Sequence, residues 1–163
     1  MTVTAIRLFG GALLALAGGL LGFERNAALR RQQRCLEQLC SALGRMETEL
    51  TELCTPLPGL LEKLEDCRFF LLVSAGFGGE PLESLWRRAA EAQPIPPRDR
   101  ETLGRLGTVV GRYEAGRQAG EIALARRRLS ESAAELAREI RERGKHFAGL
   151  GAALGAMLAV ILF

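Results

Sequence analysis

Two stretches of this chain carry no charge, and they stand at its two ends: Leu8 to Phe23 and Phe147 to Phe163. Every acidic residue, and every basic residue except Arg7, lies between them. Such segregation suits a chain whose ends sit in an apolar medium while its middle meets water. As a helix, Leu8 to Phe23 would be about 24 Å long at a rise of roughly 1.5 Å per residue, against a hydrocarbon core of about 30 Å. It is short for a membrane span but workable. A cleaved signal peptide competes, since Arg7 supplies a basic start and Ala15-Leu16-Ala17 a small-x-small cleavage site. Against cleavage, the apolar run continues through Gly18 to Phe23, and Arg25, Arg30, Arg31 and Arg34 follow as a flank of the kind retained in the cytoplasm. Arg138, Arg141, Arg143 and Lys145 flank the second run in the same way. The expectation is a transmembrane helix in 1–23, a cytoplasmic helical domain in 24–146 and a second transmembrane helix in 147–163. Both termini would then lie across the membrane from the domain. Gly18 with Gly22, and Gly151 with Gly155, are small-xxx-small pairs that would let two such spans approach closely.

The net charge of +3 hides a nearly balanced middle of 21 basic against 19 acidic residues. That balance gives no electrostatic case for nucleic acid. Cys35, Cys40, Cys54 and Cys67 contain no C-x-x-C pair and His146 is the sole histidine, so no metal ligand set is apparent. Reduced thiols are expected, because Cys40 and Cys54 lie on or near an apolar stripe where cysteine acts as a small hydrophobe.

That stripe belongs to Leu29 through Pro58. Leu29, Leu36, Leu39, Cys40, Leu43, Met46, Leu50 and Leu53 recur at steps of three, four or seven, which predicts one long amphipathic helix. Arg30, Arg34, Glu37, Gln38, Arg45, Glu49 and Glu52 occupy its other face. Thr55 is placed as an N-cap, with Pro56 as the first residue of a second helix running to about Asp66. Cys67 to Ala75 is too short to cross a membrane, so it reads as a fully buried helix or, less favourably, a strand. Helical periodicity resumes from Pro81 to Ala92 and puts Trp86 in the core. Pro94-Ile95-Pro96-Pro97 is a rigid connector. A helix from near Arg98 through Gly111 follows, its Gly104, Gly107 and Gly111 suggesting close approach of a neighbouring helix. No Gly-Lys-Ser/Thr accompanies these glycines, so a phosphate loop is excluded. The last long helix, from about Gly116 to Lys145, has the seam Ile122, Ala125, Leu129, Ala133, Leu136 and Ile140, and should pack antiparallel on the first. The fold class is therefore all-α, an antiparallel bundle.

Nothing in the pattern points to catalysis or to a cofactor. Ser41, Ser74, Ser84, Ser130 and Ser132 have only His146, at the expected membrane junction, as a possible base. Arg126-Arg127-Arg128 interrupts no seam position and reads as a solvated face. The candidate partner-binding residues are acidic. Glu47, Glu49 and Glu52 precede the Thr55-Pro56 turn and Glu62, Glu65 and Asp66 follow it, so a helical hairpin would bring both groups to neighbouring surfaces. Glu47 stands at the edge of the apolar stripe, where a carboxylate is expected to pair with an arginine or a helix N-terminus, or else to be offered to a partner.

Arg45-Met46-Glu47-Thr48-Glu49-Leu50, running into Thr55-Pro56-Leu57-Pro58, resembles a signature of the stage III sporulation protein AB family. The resemblance extends to Gly22-Phe23-Glu24, Trp86, the Leu103-Gly104 to Val110-Gly111 repeat and Gly149-Leu150-Gly151. Two features depart from it: Gly111-Arg112-Tyr113-Glu114 stands where the family often has Gly-x-Ser-Asp, and the region from Asp66 to Gly79 looks shorter. The resemblance implies a membrane protein of endospore formation, made in the mother cell and set in the outer forespore membrane. Its helical domain would be similar to the cytoplasmic domains of type II secretion F proteins. By that analogy its partners would be the secretion-type ATPase, stage III sporulation protein AA, and other membrane proteins of the stage III sporulation A operon. Together they would build the channel between mother cell and forespore. A membrane-anchored helical adaptor of another secretion or pilus-like system is the alternative.

Overall fold

A computed structural model of the chain describes the backbone of residues 2–53 and 55–162, and the side chains of residues 24, 26–53 and 55–143. Six helices follow one another among the described residues: α1 (Thr2–Thr51), α2 (Leu57–Lys63), α3 (Arg68–Gly76), α4 (Leu82–Glu91), α5 (Pro97–Leu106) and α6 (Ala115–Leu162). Among the described residues there is no strand, only an isolated bridge between Phe77 and Glu80. The residues group into two compact units, Met1–Arg31 with Ile140–Phe163, and Gln32–Glu139. The first unit holds the start of α1 and the end of α6. The side chains of the two expected spans, Leu8 to Phe23 and Phe147 to Phe163, lie outside the described residues. Among the described residues no helix is long and apolar enough to cross a membrane.

The second unit is a helical bundle built on the two amphipathic seams. Leu36, Leu39, Leu43, Met46 and Leu50 of α1 are buried, as are Ile122, Ala125, Leu129, Ala133 and Leu136 of α6, while Ile140 is half-buried. The two helices pack antiparallel. Arg126 of α6 reaches Glu47 of α1 at 3.2 Å, and a methyl of Leu57, just past the end of α1, lies 3.3 Å from where a Cβ would stand on Gly111, just before α6. The long helices begin earlier and end later than the periodicity indicates, because α1 is continuous from Thr2 and α6 continues to Leu162. At its other end α1 stops at Thr51, which leaves Leu53 60% exposed beyond the apolar stripe.

Thr55 does not cap α2. Pro56 takes an extended conformation and occupies the cap position without a side-chain cap bond, so Pro58 falls in the first turn, where its missing N–H costs nothing. The Thr55 hydroxyl instead donates back to the Glu49 carboxylate at 2.5 Å. The helix α2 ends at Lys63, earlier than expected, and Leu64 and Cys67 close the turn into α3.

Three aromatic rings form the centre between α3 and α4. Phe69, Phe70 and Trp86 are buried and meet edge to face, with centroids 5.0 to 5.7 Å apart. The indole Nε1 donates to the Leu103 carbonyl of α5 at 2.8 Å, so the one polar atom of the ring system is satisfied. The expectation of a fully buried third helix fails. Only Phe69, Phe70 and Val73 of α3 face inward, and Leu71 and Leu72 are 48% and 39% exposed.

The three glycines expected in one helix, Gly104, Gly107 and Gly111, divide into three cases, and only Gly104 lies within α5. Gly104 has open space where a Cβ would stand. At Gly107 a Cβ would lie 2.6 Å from Trp86 Cβ, a close approach that only glycine permits. Gly111 has φ +77°, so it terminates a turn rather than extending the helix, and α5 ends at Leu106 instead of reaching Gly111. Gln118 at the start of α6 holds that turn: its Oε1 accepts from the Gly111 N–H at 3.0 Å and its Nε2 donates to the Tyr113 carbonyl.

Gly107→Ala is expected to cost about 1–3 kcal/mol, because the tryptophan stem it strikes cannot swing away. Gly104→Ala should be neutral or stabilising by up to about 1 kcal/mol. Denaturant unfolding of the two variants measures the difference, and equal effects would refute the packing described at Gly107.

Candidate docking surface

The acidic residues singled out in the sequence do converge at the hairpin of α1 and α2, but most are engaged within the fold. Glu49 Oε2 accepts from Lys63 Nζ of α2 at 2.7 Å and from Thr55. Asp66 accepts from Arg45 Nη2 through both carboxylate oxygens, at 2.7 and 2.8 Å. Glu47 pairs with Arg126, which selects an arginine over a helix N-terminus as its partner. Glu65 accepts from the Ser74 hydroxyl of α3 at 2.5 Å. Among the described residues Glu52, Glu62 and Glu65 are exposed without an ion pair, and of these Glu65 is held by Ser74, which leaves Glu52 and Glu62 with no side-chain partner. Three of these carboxylates therefore stitch α1 to its neighbours, and the acidity offered outward is smaller than the sequence suggests.

The same contacts decide what the adjoining cleft can do. It has a volume of about 540 Å³ and is lined by Arg45, Lys63 and Arg126 among others. Each of those cations already faces a carboxylate, so the cleft holds no uncompensated charge for an anion. Arg126 also lies over Gly44, its Nη1 3.0 Å from where a Cβ would stand. It is thus a packing element, while Arg127 pairs along its own helix with Glu131 and fits the solvated-face reading. Sequence periodicity missed Arg126 because its site on α1 is a glycine, which no hydrophobic pattern marks.

Among the described residues no cluster of His, Cys, Asp and Glu could hold a metal ion. Cys35, Cys40 and Cys67 are free thiols. Burial pushes all three up, Cys35 to about 11 with a further contribution from nearby Cys67, so they are protonated at neutral pH and poor nucleophiles. The Cys35 thiol donates to Gln93 and the Cys40 thiol to the Arg126 carbonyl. Ser132, the one buried serine, donates to buried Asp99 at 2.6 Å across α5 and α6. Cys54 and the side chain of His146 lie outside the described residues.

The model of the family described as stage III sporulation protein AB matches residues 7–163. The chain belongs to this family. A solved structure of "Stage III sporulation protein AB (SpoIIIAB)" is similar with a TM-score of 0.60 and 20% identity, over 68% of this chain and 97% of that one. At that identity the likeness speaks to the fold alone. No match was found among curated proteins.

The residues on which the sequence resemblance rests occupy structural positions here. Thr48 donates to the Gly44 carbonyl within α1. Thr55 and Glu49 hold the end of that helix, Pro56 caps α2, and Leu57 covers Gly111. Trp86 is the core ring, and Gly104 lines a cleft of about 470 Å³ beside α4. In this chain the residues that carry the resemblance thus serve to close the hairpin and the core.

The Lys63 ammonium, and then the Thr55 hydroxyl, hold the Glu49 carboxyl below the usual range, as the Arg45 guanidinium does for Asp66. A carboxyl more acidic in the folded than the unfolded chain contributes stability above its unfolded pKa and loses it as pH falls through the folded one. Glu49→Gln should therefore melt modestly below the unaltered chain at pH 7, with the gap closing below about pH 4. A gap of the same size at both pH values would show that the ion pair is not its cause.

Proposed function

We propose that this protein is a non-enzymatic membrane scaffold of the stage III sporulation channel between mother cell and forespore. Its bundle docks the secretion-type ATPase, stage III sporulation protein AA, in the mother-cell cytoplasm. Family membership over residues 7–163 is the observation that carries this reading. The uncharged ends with their basic flanks support two anchoring spans in the outer forespore membrane. They would set the bundle beside other membrane proteins of the stage III sporulation A operon. The α1–α2 hairpin supports docking by charge, since Glu52 and Glu62 extend into solvent from either side of a turn held by Glu49, Thr55 and Lys63. Complementary charge on the ATPase would speed encounter and make binding salt-dependent.

Because Glu49 is bound within the fold, reversing its charge would confuse stability with docking. Glu52→Arg with Glu62→Arg is the cleaner test. Exposed charges contribute little to stability, so melting should shift by less than about 0.5 kcal/mol while capture of the ATPase at low salt is lost. Undiminished capture by the double variant would remove the acidic hairpin from the interface, and failure of the unaltered chain to capture the ATPase would remove the proposed partner.

A further inference from the structure

The helix α3 is apolar on both faces, yet only one face is covered. Phe69, Phe70 and Val73 are buried. Arg68, Leu71, Leu72 and Ala75, spaced three, four and seven apart, form an outward stripe that is exposed along its length, and Phe77 just beyond it is 41% exposed. A helix apolar all round belongs inside a larger body, so the outer stripe calls for a cover.

The charges beside the stripe say what that cover is. Arg68 opens α3, at the helix end where a cation is disfavoured by the dipole, and it has no carboxylate partner among the described residues. At the other end, Glu65 leans onto the helix through Ser74 and carries no ion pair. From Arg68 to Ser74 is about 9 Å along the axis. When two copies of α3 lie antiparallel about the point between Leu71 and Leu72, residue 68 of each faces residue 75 of the other. Each arginine then meets the partner copy's carboxylate and the negative end of its helix, while the leucines meet at the centre. A twofold interface requires one patch to be complementary to itself, and this one is.

We propose that the exposed face of α3 is a self-association surface, on which a second copy of this chain packs antiparallel with Leu71 and Leu72 at the twofold centre. The patch is far smaller than the roughly 20–30 residues a side of a stable interface. The association is therefore weak for dilute chains and populated where copies are held at high local concentration.

Disulfide trapping of the full chain in membranes tests it. On mild oxidation, Leu71→Cys and Leu72→Cys should each yield covalent dimer above the background of the native cysteines, and Leu124→Cys, equally exposed on α6, should not. In the Leu72→Cys chain, Arg68→Glu should cut dimer yield several-fold, and adding Glu65→Arg should restore it. A benzophenone side chain at position 72 reports the same contact without a thiol. Trapping at 71 and 72 no greater than at 124, or a yield indifferent to Arg68→Glu, overturns the proposal.

Discussion

The ring of Trp86 lies against Phe69 and Phe70 on one side, gives its N–H to the Leu103 carbonyl on another, and has the glycine backbone at 107 against its stem. Those contacts join α3, α4 and α5, three short helices of nine or ten residues each. Helices of that length are marginal alone. Their stability comes from a shared aromatic centre, whose one polar atom would carry a desolvation penalty if it lacked the carbonyl. Trp86 thereby converts three weak segments into a platform on which the two long seams close.

Charge plays a different part on the other side of the bundle. Arg45–Asp66, Lys63–Glu49 and Arg126–Glu47 connect α1 to the turn after α2, to α2 and to α6. None is deeply buried, so each contributes little by itself, but each fixes an angle or a register that apolar contact leaves loose. Carboxylates that look like a docking surface in the sequence are largely the fastening of a hairpin, and the residues left over for a partner are those with no ion pair.

The long seams were legible because burial imposes a 3.6-residue period, and Leu36 through Leu50 and Ile122 through Leu136 obey it. Trp86 was legible as core for the same reason. The caps and turns were less so. Thr55-Pro56 satisfies the rule for a cap followed by a first-turn proline, yet Pro58 satisfies it equally, and the choice is made by Glu49 drawing the Thr55 hydroxyl away. The outward stripe of α3 was hidden for a related reason: Phe69 to Val73 is apolar without a break, and a continuous run states no period. Among the acidic candidates, composition indicated which residues gather at the hairpin; only their partners on other helices, Arg126 above all, could show which were already taken.

The loop before α6 runs through Arg112-Tyr113-Glu114 after Gly111. The amide of Gln118 grips this loop by its backbone, at the Gly111 N–H and the Tyr113 carbonyl. Arg112 and Tyr113 meanwhile turn to surface contacts with Glu83 and Arg117. A loop held from outside by its main chain places little demand on its own side chains. The path of residues 112–114 is thereby set by one glutamine on the helix that follows, through the main chain and not through the loop's own side chains.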